Sequence, residues 1–328
     1  MTLPIYAVIL IMISVALVGG YIVTSLVLLK FPGLLHKRKQ TKFRAVHISH
    51  RGGAGENLEN TMTAFKHAYS LGTDMLELDC HITRDGQVVV SHDNNLLRTT
   101  GKDALISELD YKNLPCLKPE LKVDFEGNHF TQGCPEDRRI PLLKEVFQTF
   151  PELPINVDIK VDDDHLIHEV SRLVKDFHRE DLTVWGNRSI TIEKKLYNEN
   201  ANIPLIFSIR SVLNLYLLFY SGLLPFVPIR QTFYEVIMPA IFLNPDKFPV
   251  MQARKSRWLV KVLDFFLMRP TLIRHLEARG VQTNLWVLNE MSEFERAYKL
   301  GVTGVMTDFP TKLNQFLEGH PEYRHRRQ

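Results

Sequence analysis

Cysteine is scarce in this chain of 328 residues, which contains only Cys80, Cys116 and Cys134. The three form neither a CxxC pair nor an even-numbered set, so the sequence argues against a disulfide-bonded secreted scaffold. Free thiols in a reducing compartment such as the cytosol are the expected state of these side chains.

A strong charge imbalance is also absent, because 40 Lys and Arg residues face 37 Asp and Glu residues and the formal net charge is +3. The basic residues do not form the aromatic-spaced patches that bind single-stranded nucleic acid, so we expect no nucleic-acid partner. No obligate protein partner is evident either. The length and a hydrophobic content of 45% fit one large core, the size of a (β/α)8 barrel plus an anchor.

The N-terminal segment lacks charge from Pro4 to Leu29. As a helix it exceeds the ~30 Å hydrocarbon thickness of a bilayer, and it has neither the basic start nor the small-residue cleavage site of a signal peptide. We therefore predict a retained transmembrane anchor in residues 1–30. The positive-inside rule places the rest of the chain in the cytosol, because a basic cluster follows the anchor. The cluster comprises Lys30, Lys37, Arg38, Lys39, Lys42 and Arg44.

After a basic linker at 31–44, strand-like and helical runs alternate through residues 45–316, and a polar tail occupies 317–328. This alternation predicts βα units, and eight parallel strands close a TIM-type (β/α)8 barrel. The predicted strands are Ala45–Ser49, Asp74–Asp79, Ile155–Ile159, Leu182–Trp185, Leu205–Ser208, Ala240–Leu243, Leu285–Leu288 and Gly304–Thr307.

Three segments complete the predicted architecture. An Asp85-Gly86 turn predicts a β-hairpin after the second strand, since such a turn joins antiparallel strands. Asn60 is the predicted N-cap of the first barrel helix. A second uncharged run at 211–229 is interrupted by glycine and proline and lies between barrel strands, so we predict a membrane-contacting insertion rather than a second span.

Chemistry-bearing residues occur where several predicted strands end. Glu77 and Asp79 are two positions apart and point to one face, where a hard cation such as Mg²⁺ or Ca²⁺ would relieve their repulsion. Asp158 and Lys160 repeat this spacing and offer a third ligand and a cation for a phosphate.

Two histidines accompany these carboxylates. His50 begins the string HRGG, and His92 ends the predicted hairpin. An acid and a base are what cleavage of a phosphodiester requires. Taken one by one, each of these residues also fits an ordinary structural role; their joint placement at the C-terminal ends of barrel strands favours a catalytic site.

The strings HRGG, LENT, ELDC, TRDG, VVSHD, DIK, WVLN and TDFP, in this order from about His47 to Pro310, closely resemble the glycerophosphodiester phosphodiesterase family. With the N-terminal anchor, the chain most resembles the animal membrane-bound branch. That resemblance implies a lysophospholipase D that converts lysophospholipids, such as lysophosphatidylcholine or N-acyl-lysophosphatidylethanolamine, to lysophosphatidic acid. It also implies that the anchor lies in an endoplasmic-reticulum or perinuclear membrane.

Carried over by position, the resemblance implies catalytic roles for His50 and His92 and phosphate binding by Arg51. It implies metal binding by Glu77 and Asp79. His92 is also a candidate ligand, and the third ligand position holds Asp158 where the family usually has glutamate, one methylene longer. Lys160 and Trp286 complete the expected substrate contacts.

Several alternatives stay open from the sequence. The nucleophile is water or the free 2-hydroxyl of the substrate glycerol, and the single divalent cation is Mg²⁺ or Ca²⁺. Phospholipase C-like or sphingomyelinase D-like cleavage on a related barrel is a rival in the same enzyme class. A catalytically silent lipid-binding membrane protein is a rival from another class.

Overall fold

The computed structural model describes residues 4–324, so residues 1–3 of the predicted anchor and 325–328 of the predicted tail lie outside it. The strands are β1 (His47–Ser49), β2 (Met75–Ile82), β3 (Val88–Val90), β4 (Glu120–Lys122), β5 (Phe130–Gln132), β6 (Ile155–Ile159), β7 (Thr183–Gly186), β8 (Phe233–Ile237), β9 (Gln282–Trp286) and β10 (Gly304–Thr307). The α-helices are α1 (Ile5–Lys30), α2 (Met62–Ser70), α3 (Leu97–Thr100), α4 (Leu143–Thr149), α5 (Asp164–Asp176), α6 (Ile190–Glu199), α7 (Ile209–Tyr220), α8 (Arg254–Leu267), α9 (Pro270–Ala278), α10 (Met291–Leu300), α11 (Pro310–Gly319) and α12 (Pro321–Arg324).

Seven parallel strands form the barrel wall in the order β7-β6-β2-β1-β10-β9-β8. The extended segment at 205–207 bridges the remaining gap, because Leu205 pairs with Trp185 of β7 and Ile206 pairs with Phe233 of β8. This segment is the predicted fifth strand, reduced to isolated bridges because Ser208 already caps α7. The predicted (β/α)8 barrel fold is confirmed as a near-closed parallel barrel.

One predicted strand is wrong. Residues Pro239–Leu243 form a 3₁₀ helix, and the strand of this βα unit is β8, which precedes it. Pro239 explains the difference, because a proline lacks the N–H that a ladder needs and readily begins a helix. The run FYEVI of β8 is rich in aromatic and β-branched residues, which favour strands.

The predicted hairpin after the second strand is confirmed. Strand β3 pairs antiparallel with the end of β2, from Cys80 opposite Val90 to Ile82 opposite Val88. The turn uses Gly86 at φ +77°. The hairpin extends β2 beyond the barrel and carries the chain toward His92.

The predicted cap of α2 is displaced by one residue. Thr61, not Asn60, is the N-cap, and its hydroxyl accepts a hydrogen bond from the Ala64 amide at 3.2 Å. Asn60 has φ +58° and turns its side chain toward Asp79 instead.

The barrel interior has an apolar layer below a polar one. Ile48, Met75, Val184, Phe233 and Met306 are buried together in one cluster. Two positions further along the same strands or just past their ends stand His50, Glu77, Gly186, Glu235 and Asp308. Because side chains two apart on a strand share a face, the packed floor directs these later residues to the C-terminal mouth of the barrel.

Helix α1 is 26 residues long and exposed over most of its length. Within residues 4–324 it is the one helix long and apolar enough to cross a membrane, by length and composition. The second uncharged run folds as α7, a turn at Gly222 and a 3₁₀ helix at Leu224–Phe226. The 12 residues of α7 span about 18 Å, which is too short to cross a bilayer.

Candidate active site

A cavity of about 1310 Å³ opens at the C-terminal mouth of the barrel. Of the eight residues predicted for the site, seven line it and the eighth, Asp79, lies behind them. The seven are His50, Arg51, Glu77, His92, Asp158, Lys160 and Trp286. The structure therefore brings together residues from β1, β2, the hairpin, β6 and β9.

His50 follows β1 and contacts residues on or just past the two neighbouring strands, β2 and β10. Its Nδ1 lies 2.7 Å from Oδ1 of Asp308, and its Nε2 lies 3.9 Å from Oε2 of Glu77. Burial alone would lower the pKa of His50, but the Asp308 and Glu77 carboxylates outweigh it and raise the pKa. Asn289 fixes Asp308 in turn, through Nδ2 to Oδ2 at 3.1 Å and through Oδ1 from the Asp308 amide at 2.9 Å.

Glu77 and Asp79 occupy the same face of β2, as their spacing predicts. Oε2 of Glu77 accepts a hydrogen bond from the Arg51 amide at 2.8 Å. Oδ2 of Asp79 accepts from Nδ2 of Asn60 at 2.8 Å, and Oδ1 of Asp79 lies 2.7 Å from Nζ of Lys160. Glu77 therefore has one hydrogen-bond donor in this network, whereas Asp79 has a neutral donor and two cationic neighbours, Lys160 and Arg51.

The two carboxylates differ in how readily they ionise. Burial, and then the charge of Asp79, raise the pKa of Glu77 to about 7. Burial would also raise the pKa of Asp79, but the neighbouring Lys160 and Arg51 charges more than offset it and hold that pKa well below its usual range. In the absence of a further cation, Asp79 is the permanent anion and Glu77 is the group that is short of positive charge.

Asp158 and Lys160 extend this network from β6. Asp158 stands opposite Asp79 in the ladder between β6 and β2. Nζ of Lys160 lies 2.6 Å from Oδ2 of Asp158 and 2.7 Å from Asp79, so this ammonium bridges two carboxylates. Burial would lower the pKa of Lys160, but Asp79 and Asp158 raise it and keep the side chain charged.

Arg51 adopts φ +50° at the start of the loop that follows β1. Its guanidinium is buried among acids: Nη1 lies 3.2 Å from Glu59 and 3.1 Å from Asp124, and Nε lies 3.3 Å from Asp79. The next residue, Gly52, has φ +79°, and a Cβ there would meet the Phe65 ring at 2.6 Å. The HRGG string thus needs glycine for backbone conformation and for close packing on α2.

His92 lies across the cavity at the end of the hairpin. Its Nδ1 lies 2.6 Å from Oδ1 of Asp93, whose Oδ2 lies 2.5 Å from Nε of Arg98. No hydrogen-bond partner for Nε2 of His92 occurs within the described part of the chain. Both histidines thus have a carboxylate on Nδ1, which orients the ring and selects the tautomer.

The sequence interpretation missed Glu235, a partly buried carboxyl in the wall of the cavity. Its Oε1 and Oε2 accept hydrogen bonds from Nδ2 of Asn156 at 3.1 and 2.9 Å, and Oε1 accepts from Nδ2 of Asn284 at 3.2 Å. Burial raises the pKa of Glu235 to about 7. No local signal marks it, because its partners come from β6 and β9.

Asn60, Asp308 and Asn289 were also missed as site residues, although the strings LENT, TDFP and WVLN contain them. The sequence interpretation assigned a capping role to Asn60 and no role to Asp308 or Asn289. Their contacts with Asp79 and His50 depend on how distant segments meet, which the strings alone do not specify.

The far side of the cavity is apolar. Its wall includes Phe207, Val212, Leu213 and Tyr216 before and along α7, Tyr234, Val236 and Ile237 of β8, Leu267 and Met268 at the end of α8, and Trp286 of β9. Charged groups and aliphatic or aromatic walls therefore face one continuous space.

The oxygen donors fit a hard divalent cation. Within residues 4–324, no three His, Cys, Asp or Glu side chains already stand in a metal-binding cluster. Nζ of Lys160 lies between Asp79 and Asp158. The pKa of Glu77 remains raised because burial and the Asp79 charge outweigh the positive charges near it. A cation bound to Glu77 and Asp79, with Asp158 as third ligand, would supply further positive charge, and carboxylate oxygen is the donor that Mg²⁺ and Ca²⁺ prefer.

Solved structures with this architecture are similar in fold. A glycerophosphodiester phosphodiesterase from Agrobacterium tumefaciens str. C58 matches with a TM-score of 0.58 and 16% identity, over 83% of this chain and 99% of that one. A phosphodiesterase from Oleispira antarctica, in complex with the product sn-glycerol-3-phosphate, matches with a TM-score of 0.57 and 18% identity, over 84% and 97%. At these identities the similarity establishes the barrel fold.

Sequence comparison identifies the family. Lysophospholipase D GDPD1 of Homo sapiens is 57% identical over 299 residues, which cover 91% of this chain and 94% of that protein. Lysophospholipase D GDPD3 of Homo sapiens is 42% identical over 302 residues, which cover 92% and 94%. The model of the glycerophosphoryl diester phosphodiesterase family matches residues 50–312. The chain therefore belongs to the glycerophosphoryl diester phosphodiesterase family and is a phosphodiesterase.

Proposed function

We propose that this phosphodiesterase is a membrane-anchored lysophospholipase D that releases lysophosphatidic acid and an alcohol from lysophospholipids. The observation that carries the proposal is that one continuous cavity joins a charged end around His50 and Glu77 to an apolar end around Tyr216 and Trp286. A monoacyl phospholipid has the same division into a charged phosphodiester and one hydrocarbon chain. The relatives at 57% and 42% identity are both lysophospholipases D.

The two histidines exchange protons with the substrate in this proposal. Asp308 and Asp93 hold the Nδ1 atoms, so each ring gives or takes a proton at Nε2. One histidine deprotonates the nucleophile, water or the glycerol 2-hydroxyl, and the other protonates the departing choline, ethanolamine or N-acylethanolamine. The nucleophile bonds to phosphorus as the P–O bond to the head group breaks. Attack by water gives lysophosphatidic acid directly, whereas attack by the 2-hydroxyl gives a transient cyclic phosphate that a water molecule must then open.

The phosphate is held by positive charge. Enzymes of this family generally depend on a divalent metal. We propose one ion, Mg²⁺ or Ca²⁺, on Glu77, Asp79 and Asp158, with His92 a further candidate ligand; bound there, it would polarise the phosphoryl oxygens. Arg51 and Lys160 add cationic side chains in the cavity wall, and Trp286 packs against the glycerol or the first part of the acyl chain.

The anchor defines where this chemistry takes place. We propose that α1 crosses the membrane and that the basic linker keeps the barrel on the cytosolic side, in the endoplasmic reticulum or the perinuclear membrane. Lipids of the cytosolic leaflet are then the accessible substrates.

Turnover by the full-length protein and by His50→Ala tests the proposal. We expect wild type to cleave lysophosphatidylcholine in the presence of Mg²⁺ or Ca²⁺, and His50→Ala to lose at least about 100-fold in kcat, since acid–base groups contribute about 10²–10⁴-fold. Equal activity in the variant would refute the site. Wild-type binding of lysolipid without turnover would favour the rival, a silent lipid-binding protein.

A further inference from the structure

Helix α7 presents an apolar stripe to solvent. Ile209, Leu213, Leu217 and Tyr220 recur at spacings of four, four and three residues, and their side chains are between 50% and 69% exposed. Residues at these spacings lie on one face of a helix. The opposite face packs on the barrel, where Leu215 is buried.

Helix α8 continues this surface. Trp258, Leu259, Leu263, Phe265 and Phe266 are all exposed, from 45% to 67%. The two helices are joined at Tyr220, whose hydroxyl donates to the Phe266 carbonyl at 2.6 Å and whose ring lies 5.8 Å from that of Phe266. Exposed Arg254, Lys255 and Lys261 accompany the apolar side chains on α8. An apolar surface with cationic neighbours is typical of a helix that lies in a membrane interface.

Helix α1, the predicted anchor, contacts the end of the same stripe. The Tyr21 hydroxyl donates to the Ser221 carbonyl at 2.5 Å, and the Ser25 hydroxyl donates to the Gly222 carbonyl at 2.7 Å. The Tyr21 ring stacks on Phe226 with centroids 6.1 Å apart. Gly222, at φ +77°, permits this approach, since a Cβ there would lie 2.9 Å from the Tyr21 hydroxyl.

The length of α1 fixes the depth of that contact. Its 26 residues extend about 39 Å, some 9 Å more than the ~30 Å hydrocarbon layer, so about six residues project beyond it. If the projecting residues are those that lead to Lys30, Ser25 stands at the boundary and Tyr21 just inside it. Tyrosine is enriched at this depth. The Ser221–Gly222 turn, and with it the stripe on α7, is thereby held at the membrane surface.

The same two helices contribute to the apolar wall of the active-site cavity. Val212, Leu213 and Tyr216 of α7 line it, as do Leu267 and Met268 at the end of α8. Leu213 belongs to both the cavity wall and the exposed stripe. The cavity therefore reaches the surface that the anchor holds against the bilayer.

We propose that α7 and α8 form a bilayer-embedded surface and that the substrate acyl chain enters the cavity from the membrane beside them, without passing through water. The route rests on the proposed lysophospholipid substrate, whereas the embedding of the two helices does not. The lipid bilayer is the occupant of this surface, because α1, which contacts Gly222 at the end of the stripe, crosses that same bilayer in our proposal.

Fluorescence quenching tests the embedding directly. Full-length protein is placed in nanodiscs of phosphatidylcholine and phosphatidylserine with or without acyl-chain bromination, and the Trp258 signal is isolated as the difference between wild type and Trp258→Phe. We expect brominated lipid to quench this component strongly. An unquenched Trp258 component would overturn the proposal. That result is also expected if a second copy of the chain, rather than lipid, covers the surface.

Turnover in the same nanodiscs tests the route. We expect Leu217→Glu and Phe265→Glu, which do not line the cavity, to reduce kcat/KM on embedded lysophosphatidylcholine by about tenfold or more and to leave turnover of water-soluble glycerophosphocholine unchanged. The matched control is Met291→Glu, an exposed apolar residue that begins α10. Equal loss on both substrates, or no loss on either, would overturn lateral entry. If wild type cleaves only the soluble diester, the proposed substrate fails, and the quenching result still decides the embedding.

Discussion

Nδ1 of His50 lies 2.7 Å from Oδ1 of Asp308, although 258 residues separate them in the chain. The contact joins the ends of β1 and β10, and Asn289, just past the end of β9, donates a hydrogen bond to Asp308. A second pair, His92 with Asp93, repeats the arrangement across the cavity. Two oriented imidazoles that face one cavity are the geometric basis of the proposed acid–base chemistry.

Replacing Asp308 by Asn tests the first pair. We expect kcat to fall by about 10²–10⁴-fold, because the amide neither stabilises an imidazolium nor enforces the tautomer that exchanges protons at Nε2. The Tm should change little, since the amide keeps the size of the side chain. Kinetics and thermal unfolding of the full chain in detergent measure both quantities. Glu108→Gln, at an exposed position, is the control, and wild-type kcat in Asp308→Asn would contradict the role.

His92 has two candidate roles, and its alanine variant distinguishes them. A general acid matters less when the leaving group is a good one, so His92→Ala should lose far less activity on a nitrophenyl diester than on a choline ester. A metal-ligand role predicts instead a weaker cation affinity, measured by calorimetry. An equal loss on both substrates would make His92 the general base instead, whereas unchanged activity together with unchanged cation affinity would contradict every one of these roles.

The raised pKa of Glu77 predicts pH-dependent cation binding. The pKa of about 7 in the folded chain lies above the ordinary 4.5, so the folded state binds the extra proton between these values. Stability of the cation-free protein should therefore fall as pH rises from about 4.5 to 7, and cation binding should offset the loss. Below about pH 7 the apparent Kd for the cation should rise by up to about tenfold for each unit that the pH falls, because the proton on Glu77 competes with the ion.

Titration calorimetry with Mg²⁺ and Ca²⁺ across this range measures the slope. Glu77→Gln should bind the ion weakly at every pH and lose the slope, since the amide does not titrate. A pH-independent Kd in wild type would show that Glu77 is not the group that competes.

Glu235 is expected to stabilise the barrel. Glu235→Leu removes the acceptor of the Asn156 and Asn284 amides, and a buried donor left unpaired costs about 1–3 kcal/mol. The Tm of Glu235→Leu should fall by several degrees. The Tm of Glu235→Gln should fall less, because this variant keeps an acceptor oxygen. Equal Tm values for Glu235→Leu and wild type would contradict this structural role.

The sequence predicts what depends on local pattern. The i, i+2 spacing places Glu77 and Asp79 on one face of β2, and the Asp85-Gly86 turn places the hairpin. The error at 240–243 has a local cause, since a hydrophobic run after Pro239 resembles a strand but begins as a 3₁₀ helix.

Tertiary contacts account for the residues that the sequence interpretation missed. Asn60 resembles a helix cap, but its φ of +58° turns its amide to Asp79, and Thr61 takes the cap. Glu235 has no local motif, because its role arises only when β6 and β9 bring two amides beside it. Such roles depend on the closure of the barrel rather than on neighbours in the sequence.

The most direct test of the proposed function is mass spectrometry of the products that the full-length protein forms from lysophosphatidylcholine, with Mg²⁺, with Ca²⁺ and with EDTA. We expect lysophosphatidic acid and free choline, formed with at least one of the ions and lost in EDTA. Phosphocholine and monoacylglycerol would contradict the proposal, because they require cleavage on the other side of the phosphate.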